Sequence, residues 1–519
     1  MFKKIDFITI FVLALACLTI VLALRGRLGN PVAQELTSAY WTDKGPLELS
    51  PERGRFALLY SLVEDKSFYF SLPVARFATP DLGYKNGHYV SMFAPGVSFM
   101  TAPGYMVGKL FGAAQIGTYA IVALFALLNL ILIQAIARLL GVPKLAALLG
   151  GLIFLFATPA FVYGVSFFQH HISTFLILAS LYLLIKFKTW WSLGLIWFLA
   201  AAAIPIDYPN LFLMFPIALF AAGRLLIISP GRAKVKISLW LPGILSIATV
   251  VLPLYFFMWF NQQSYGNPFQ FSGTVSSVNA IDEQGKPTTP TEIGTLDMQT
   301  YLNPELQKKS AVGFFKTRNL VNGLYTHLIG SDRSILWFTP IMFFGALGLW
   351  LLFLKKPYIA AVLIAIVGVN LTLYSLWGDP WGGWAFGSRY LVPGYAILAI
   401  GIAYLVDYFK HKPWFLIIFL PVMAYSIYIN TLGAITSSAI PPKVEVLALE
   451  KLSGRVEHYN FLRSWEFLQS NQSKSFVYQT WGHTYLSATQ YYLLIATCLV
   501  WISGGLAGLL YWQAYHEKK

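Results

Sequence analysis

SPERGRFALLYSLVED, Ser50 to Asp65, sets a Glu, two Arg and an acidic pair directly behind the first hydrophobic segment of a chain that is 57% hydrophobic and 11% charged over 519 residues. About a quarter of the residues of a soluble domain are charged, so the surrounding chain reads as a polytopic membrane protein. The stretch is then either a capped helix on the membrane surface or one wall of an active site. Ser50 suits an N-cap, Pro51 the first helical position, and Glu52 the first turn, where the helix dipole favours a carboxylate. Phe56, Leu59, Tyr60 and Val63 recur at helical spacing, and Glu52 extends that stripe, while Arg53, Glu64 and Asp65 face outward. The spacing predicts a helix that fixes an ionised Glu52 and points it at a membrane-side cavity.

Outward from this stretch, apolar runs of roughly 18 to 24 residues give about twelve spans, each long enough for a ~30 Å hydrocarbon core. Their centres fall near residues 16, 124, 154, 180, 198, 218, 248, 344, 367, 400, 423 and 499. The net charge is +15, but it reports orientation and not nucleic-acid binding. Lys3 and Lys4, Arg138 and Lys144, Lys186 and Lys188, Arg224, Arg232, Lys234 and Lys236, Lys355 and Lys356, Lys410 and Lys412, and Lys518 and Lys519 all fall on one side of twelve spans. By the positive-inside rule that side is cytoplasmic, with both termini inside, in a plasma or inner membrane. Cys17 and Cys498, the two cysteines, lie in apolar runs and offer neither a disulfide framework nor a Cys-based metal site.

The expected organisation is a retained first transmembrane helix at 1–24, an external loop with juxtamembrane helices at 25–110, spans at 111–259, an external loop at 260–333, spans at 334–433, an external amphipathic segment at 434–486, and a last span with a cytoplasmic tail at 487–519. The long polar connections share the external face, where loops held by a rigid scaffold carry function. Val97–Gly112 reads as a surface or re-entrant helix, and Lys443–Gln469 as one or two amphipathic helices over the external mouth.

Unusual polar residues collect on that face. Glu52, Arg53 and Arg55 precede TPDLGYKNGHYVSMFAPG, Thr79 to Gly96, in which Asp81 sits in a tight loop near Lys85. SFFQHHIST places Gln169, His170 and His171 at a helix boundary, where packing competes with metal ligation. PIDYPNL places Asp207 between two prolines, either as a cap on the next helix or as a functional carboxylate. Arg333 stands just outside a span, and LWGDPWGGWAFGSRYLVP, Leu376 to Pro393, combines Trp377, Trp381 and Trp384 with Asp379, Arg389 and glycines that permit positive φ or close backbone approach. Aromatic faces beside Arg and Asp suit a sugar or a lipid phosphate, and a carboxylate can take a hydroxyl proton or hold a divalent cation.

This pattern resembles the GT-C superfamily of membrane glycosyltransferases and is similar to bacterial aminoarabinose transferases and protein O-mannosyltransferases. ERGRFA, Glu52 to Ala57, matches the family's acid-acid-x-Arg-Tyr-Ala helix, with Glu in place of Asp and Arg53 at the second acidic position. Pro80-Asp81, Gly87-His88-Tyr89 and Ser91 to Gly96 resemble a later stretch of the same loop, with Phe93 where a Lys is common. Trp381 to Pro393 resembles a Trp-Gly-Gly-Trp segment, and Asp332 through Pro340 another. The resemblance implies an all-α fold of about twelve transmembrane helices and an inverting transfer of a sugar from a polyprenyl-phosphate donor to a lipid, glycan or protein hydroxyl. It implies Glu52 as general base and Asp81 assisting it or a cation. Arg55, Lys85, His170, His171, Asp207, Arg333, Trp381, Trp384 and Arg389 are then the candidates for donor phosphate and substrate. The alternative is a lipid or lipid-linked-oligosaccharide transporter without covalent chemistry.

Overall fold

The computed structural model of the chain describes residues 7–41, 45–230, 235–288, 311–454 and 456–517. Of the basic residues used for orientation, Lys3, Lys4, Arg232, Lys234, Lys518 and Lys519 lie outside them. Six described helices are long and apolar enough to cross a membrane: Ala114–Leu139, Leu241–Tyr265, Pro357–Ser375, Arg389–Tyr408, Pro413–Ile435 and Ala488–His516. Six shorter apolar helices join them: Phe7–Ala23, Lys144–Phe156, His170–Lys186, Trp190–Ala203, Asn210–Gly223 and Met342–Lys355. Every span centre expected from the sequence falls inside one of these twelve. The match has a simple cause: apolar side chains can lie in lipid only if the backbone satisfies its own hydrogen bonds, which a helix does locally.

Small residues set the spacing of the bundle. The Met342–Lys355 and Val392–Tyr408 helices pack on one another through Gly345, Gly348 and Gly401, where a Cβ on either glycine of the first helix would meet a backbone carbonyl of the second. Between helices in a membrane, where lipid is as apolar as Leu, close approach through small residues is the chief source of packing energy. Val392–Tyr408 is buried almost throughout and forms the centre of the assembly.

Between Phe7–Ala23 and Ala114–Leu139 lie Ser50–Tyr60, Leu72–Ala78 and Gly96–Leu110. Phe56, Leu59 and Tyr60 are buried, as the helical stripe predicts, whereas Asp65 is exposed. The cap is one residue earlier than expected. Leu49 holds the N-cap position in extended backbone, and Ser50 is already helical; its hydroxyl donates to Asp81 Oδ2 at 2.6 Å. The described fold is not purely helical. Leu82–Lys85 and His88–Ser91 form a hairpin whose third strand is Ser276–Val278, with Leu82 opposite both Ser91 and Val278. Asn86-Gly87 turns the hairpin with positive φ at both residues, the Asn-Gly turn whose twist matches that of the strands it joins. Two further two-stranded ribbons occur at 226–239 and 280–288. Lys443–Gln469 resolves into two short helices, Lys443–Ser453 and Leu462–Gln469.

Candidate functional site

The end of the Ser50–Tyr60 helix that begins at Pro51 opens onto a cavity of about 420 Å3. Pro51 and Arg55 form one wall, and Met92 to Ala94, at the close of the hairpin segment, form the next. Phe168 and Gln169 come from the boundary before His170–Lys186, and Ile206 to Pro209 from the loop between Trp190–Ala203 and Asn210–Gly223. Phe271, Gly273, Phe314, Phe315, Tyr374, Trp377, Arg389 and Tyr390 also line it. Leu211 and Phe212 line the cavity while also lying exposed on the bundle surface, so the cavity reaches an apolar flank of the molecule.

Two guanidinium groups flank the Phe168 ring. Arg55 Cζ lies 5.7 Å and Arg389 Cζ 5.1 Å from its centroid, and each stacks on a second ring, Phe93 at 4.6 Å and Tyr390 at 5.3 Å. Arg55 Nη1 donates to the Pro51 carbonyl at 2.9 Å, but Arg55 Nε and Arg389 Nε and Nη1 are buried donors without a protein partner among the described residues. Buried polar groups are nearly always paired, so unpaired donors on two arginines at one cavity fit an anion with several acceptor oxygens. Burial lowers the Arg55 pKa to about 10, which leaves it charged at neutral pH, and Asp207 nearby offsets part of that shift. Stacked aromatic pairs form the far wall: Tyr374 and Tyr390 at 4.3 Å and 7°, and Phe314 and Trp377 at 5.5 Å and 11°. Flat stacked faces of this kind suit a sugar ring.

Among the described residues Asp207 is the one acidic residue on the lining. Its Oδ2 accepts from Gln169 Nε2 at 3.1 Å. It does not cap the following helix, which has no side-chain cap bond; Asn210 N bonds the Asp207 backbone carbonyl instead. Burial raises the Asp207 pKa, a shift partly offset by the Gln169 bond and by Arg55 and Arg389.

The structure brings Arg55, Asp207 and Arg389 together and sets the other candidates elsewhere. Glu52 is fully buried beside the cavity lining but is not part of it; its Oε2 accepts from Leu49 N at 3.3 Å and its Oε1 from Phe167 N at 3.1 Å. The helical stripe therefore fixes which side Glu52 occupies, and backbone donors fix where its carboxylate points. Asp81 accepts from Ser50 Oγ, and Lys85 ends the first strand of the hairpin; neither lines the cavity. Arg333 is fully buried and holds the Trp381 and Gly383 carbonyls, the second at 2.9 Å, with Asp332 at 3.3 Å. It fastens the glycine loop, in which Gly382, Gly383 and Gly387 all take positive φ, the first of the two uses that the sequence left open. Of the three tryptophans, Trp377 reaches the cavity, while Trp384 donates to Glu445 Oε2 at 2.9 Å. His171 is held by Asn129 at 3.2 Å and the Ala160 carbonyl at 2.7 Å, a packing role, and His170 stacks behind Phe168. Phe93, which stands where the family often has a Lys, lines the cavity, whereas Phe168 and Tyr374 gave no signal because a lining aromatic and a core aromatic look alike in sequence.

Glu52 and Asp81, the expected cation ligands, are engaged by backbone amides and a hydroxyl, and no cluster of three or more His, Cys, Asp or Glu side chains occurs among the described residues. Calcium takes six to eight oxygen ligands, often with several carboxylates among them, and the cavity lining, which among the described residues offers one carboxylate, Asp207, does not make such a set.

The burial of Glu52 has a measurable consequence. Burial raises its pKa from 4.5 to about 7; Arg25 and the two backbone bonds oppose the rise, and Glu48 adds to it. Between those two pH values the folded chain holds a proton that the unfolded chain has lost, so stability falls as pH rises through the window, by an amount on the order of 3 kcal/mol. The melting temperature of wild type in detergent should therefore fall relative to that of Glu52→Gln, whose side chain does not titrate, from pH 5 to pH 8. Parallel curves would show that Glu52 is ionised throughout.

No family model matches the chain, and no curated protein matches it. Among solved structures it is similar to ArnT from Cupriavidus metallidurans in the apo state, at 13% identity and a TM-score of 0.44, over 96% of this chain and 77% of that one. It is similar to the same protein bound to undecaprenyl phosphate at 14% identity, with the same score and coverage. It is also similar to the archaeal oligosaccharyltransferase AglB from Archaeoglobus fulgidus in complex with an inhibitory peptide and a dolichol-phosphate, at 14% identity and a TM-score of 0.39, over 95% of this chain and 56% of that one.

Proposed function

We propose that the chain is a membrane glycosyltransferase of the GT-C type, with twelve crossings, that moves a sugar from a polyprenyl-phosphate donor to an acceptor hydroxyl with inversion, on the non-cytoplasmic face. The observation that carries this reading is the cavity in which Arg55 and Arg389 flank Phe168, with unpaired guanidinium donors and, among the described residues, a single carboxylate and stacked aromatic walls on the same lining. The opening at Leu211 and Phe212 admits a prenyl chain from the bilayer, the two guanidinium groups take the phosphate, and the aromatic faces take the sugar.

Charge neutralisation at the phosphate serves both binding and departure, because the bridging oxygen gains negative charge as the bond to the sugar breaks. Removing one charged hydrogen-bonding partner costs about 1.5–3 kcal/mol, equivalent to roughly a 10- to 150-fold loss in kcat/KM. Purified chain should transfer label from polyprenyl-phosphate sugars to a hydroxyl acceptor, and Arg389→Ala should show that loss while eluting as wild type does. Transfer at the wild-type rate in Arg389→Ala would remove the arginine from the donor site. Movement of the lipid across a vesicle membrane with no covalent product would establish transport in place of transfer.

A further inference from the structure

We propose that Asp207, on the loop between Trp190–Ala203 and Asn210–Gly223, is the catalytic carboxylate that takes the acceptor's proton, with Gln169 as the residue that positions it. This rests on the glycosyltransferase reading and moves the base away from the first loop, where the sequence resemblance puts it at Glu52.

The geometry favours this residue in three ways. Among the described residues Asp207 is the acidic side chain on the cavity lining, and it lies within electrostatic reach of both arginines. One oxygen, Oδ2, is held by Gln169 at 3.1 Å, and among the described residues Oδ1 has no protein partner, which leaves it for an incoming hydroxyl. The loop is also rigid. Pro205 and Pro209 bracket it, Gly96 N donates to the Pro205 carbonyl at 2.6 Å, and the Asn210 side chain donates to the Ala203 carbonyl at 2.8 Å. A Cβ at Gly96 would lie 2.5 Å from Ile206 Cδ1, so this glycine allows the loop to seat where it does. By contrast, both Glu52 oxygens are held by backbone N–H groups in a fully buried position.

In the step this assigns, the acceptor O–H proton passes to Asp207 Oδ1 as the acceptor oxygen bonds to the anomeric carbon. The bond from that carbon to the phosphate oxygen breaks, and its electron pair leaves with the lipid phosphate, whose added negative charge lies at Arg55 and Arg389. Burial raises the Asp207 pKa toward the pH at which a base both exists ionised and accepts a proton readily.

The test uses full-length protein in detergent or nanodiscs with a polyprenyl-phosphate sugar, following transfer kinetics and, separately, polyprenyl-phosphate binding through quenching of tryptophan fluorescence. A positioned general base contributes about 100-fold or more. Asp207→Asn, which keeps the size of the side chain and an oxygen for Gln169, is expected to lose kcat by that factor while binding polyprenyl phosphate at least as tightly as wild type, since a negative charge near the phosphate site is removed. Gln169→Ala removes a bond that lowers the Asp207 pKa, so the acid limb of its kcat/KM profile should move to higher pH. A kcat above one-tenth of wild type in Asp207→Asn would overturn the assignment, as would loss of binding together with turnover, or an unmoved acid limb in Gln169→Ala. A wild-type protein that binds polyprenyl phosphate but transfers no sugar would instead defeat the glycosyltransferase reading.

Discussion

Glu48→Ala is expected to destabilise the folded chain by about 3–5 kcal/mol, because it leaves two buried cations without their partner. Glu48 Oε1 lies 3.0 Å from Lys474 Nζ, and Oε2 lies 3.3 Å from Arg25 Nη1 and accepts from Ser438 N at 3.0 Å. Arg25 is fully buried, and its other donors reach the Thr436 carbonyl at 2.8 Å and the Gly433 carbonyl at 3.2 Å. Burial raises the Glu48 pKa, but Lys474 and Arg25 outweigh it and hold the carboxyl below its usual range. Its contribution is therefore present above the unfolded pKa and is lost as pH falls through the lower folded value, opposite in sign to that of Glu52. Thermal unfolding in detergent at pH 7 should show the loss, with Glu48→Gln intermediate because it keeps an acceptor and not the charge. A decrease below about 1 kcal/mol, the range of an exposed pair, would mean that water reaches the cluster.

Gly348→Leu is expected to give no folded protein, and Gly348→Ala to cost about 1–3 kcal/mol, the range for adding carbon to a packed core. A Cβ at Gly348 would fall on the Gly401 carbonyl, and on both sides of this contact the neighbouring atoms are backbone, which cannot rotate away. The helix that would have to move, Val392–Tyr408, begins three residues after Arg389, so Gly348→Ala should lower transfer along with stability. Gly504→Ala makes a matched control, since a Cβ there meets nothing within 4 Å. Equal melting temperatures for the two alanine variants would show that the helix pair separates without cost.

The helices were legible because apolar length is a property of consecutive residues. The buried stripe Phe56, Leu59 and Tyr60 was legible for the same reason. What faces a stripe is set by other parts of the chain, and so the aim of Glu52 was not readable; Phe167 N, one of its two donors, is 115 residues away. Arg55, Asp207 and Arg389 stood out as charges at helix boundaries, and they meet at the cavity. Arg333 had the same sequence signal and proved to be the fastening of a glycine loop, a distinction made by the carbonyls of Trp381 and Gly383. Glu48 gave no signal at all. Two of its partners, Ser438 and Lys474, are hundreds of residues distant, and a lone Glu before a helix reads as an ordinary polar residue.

The cluster of Arg25, Glu48 and Lys474 also places an order on biosynthesis. Arg25 and Glu48 are made early, whereas Ser438, which bonds both, follows Arg25 by 413 residues, and Lys474 comes later still. A ribosome adds roughly 5–20 residues each second, so these early charges wait for tens of seconds before their late partners exist. During that interval the Ser50–Tyr60 helix has its sequence but lacks its anchor. Among the described residues the cavity lining ends at Tyr390, so its residues all exist before the anchor of the helix that walls it, and a nascent chain that stalls before Lys474 carries the whole lining with Glu48 still short of one cation.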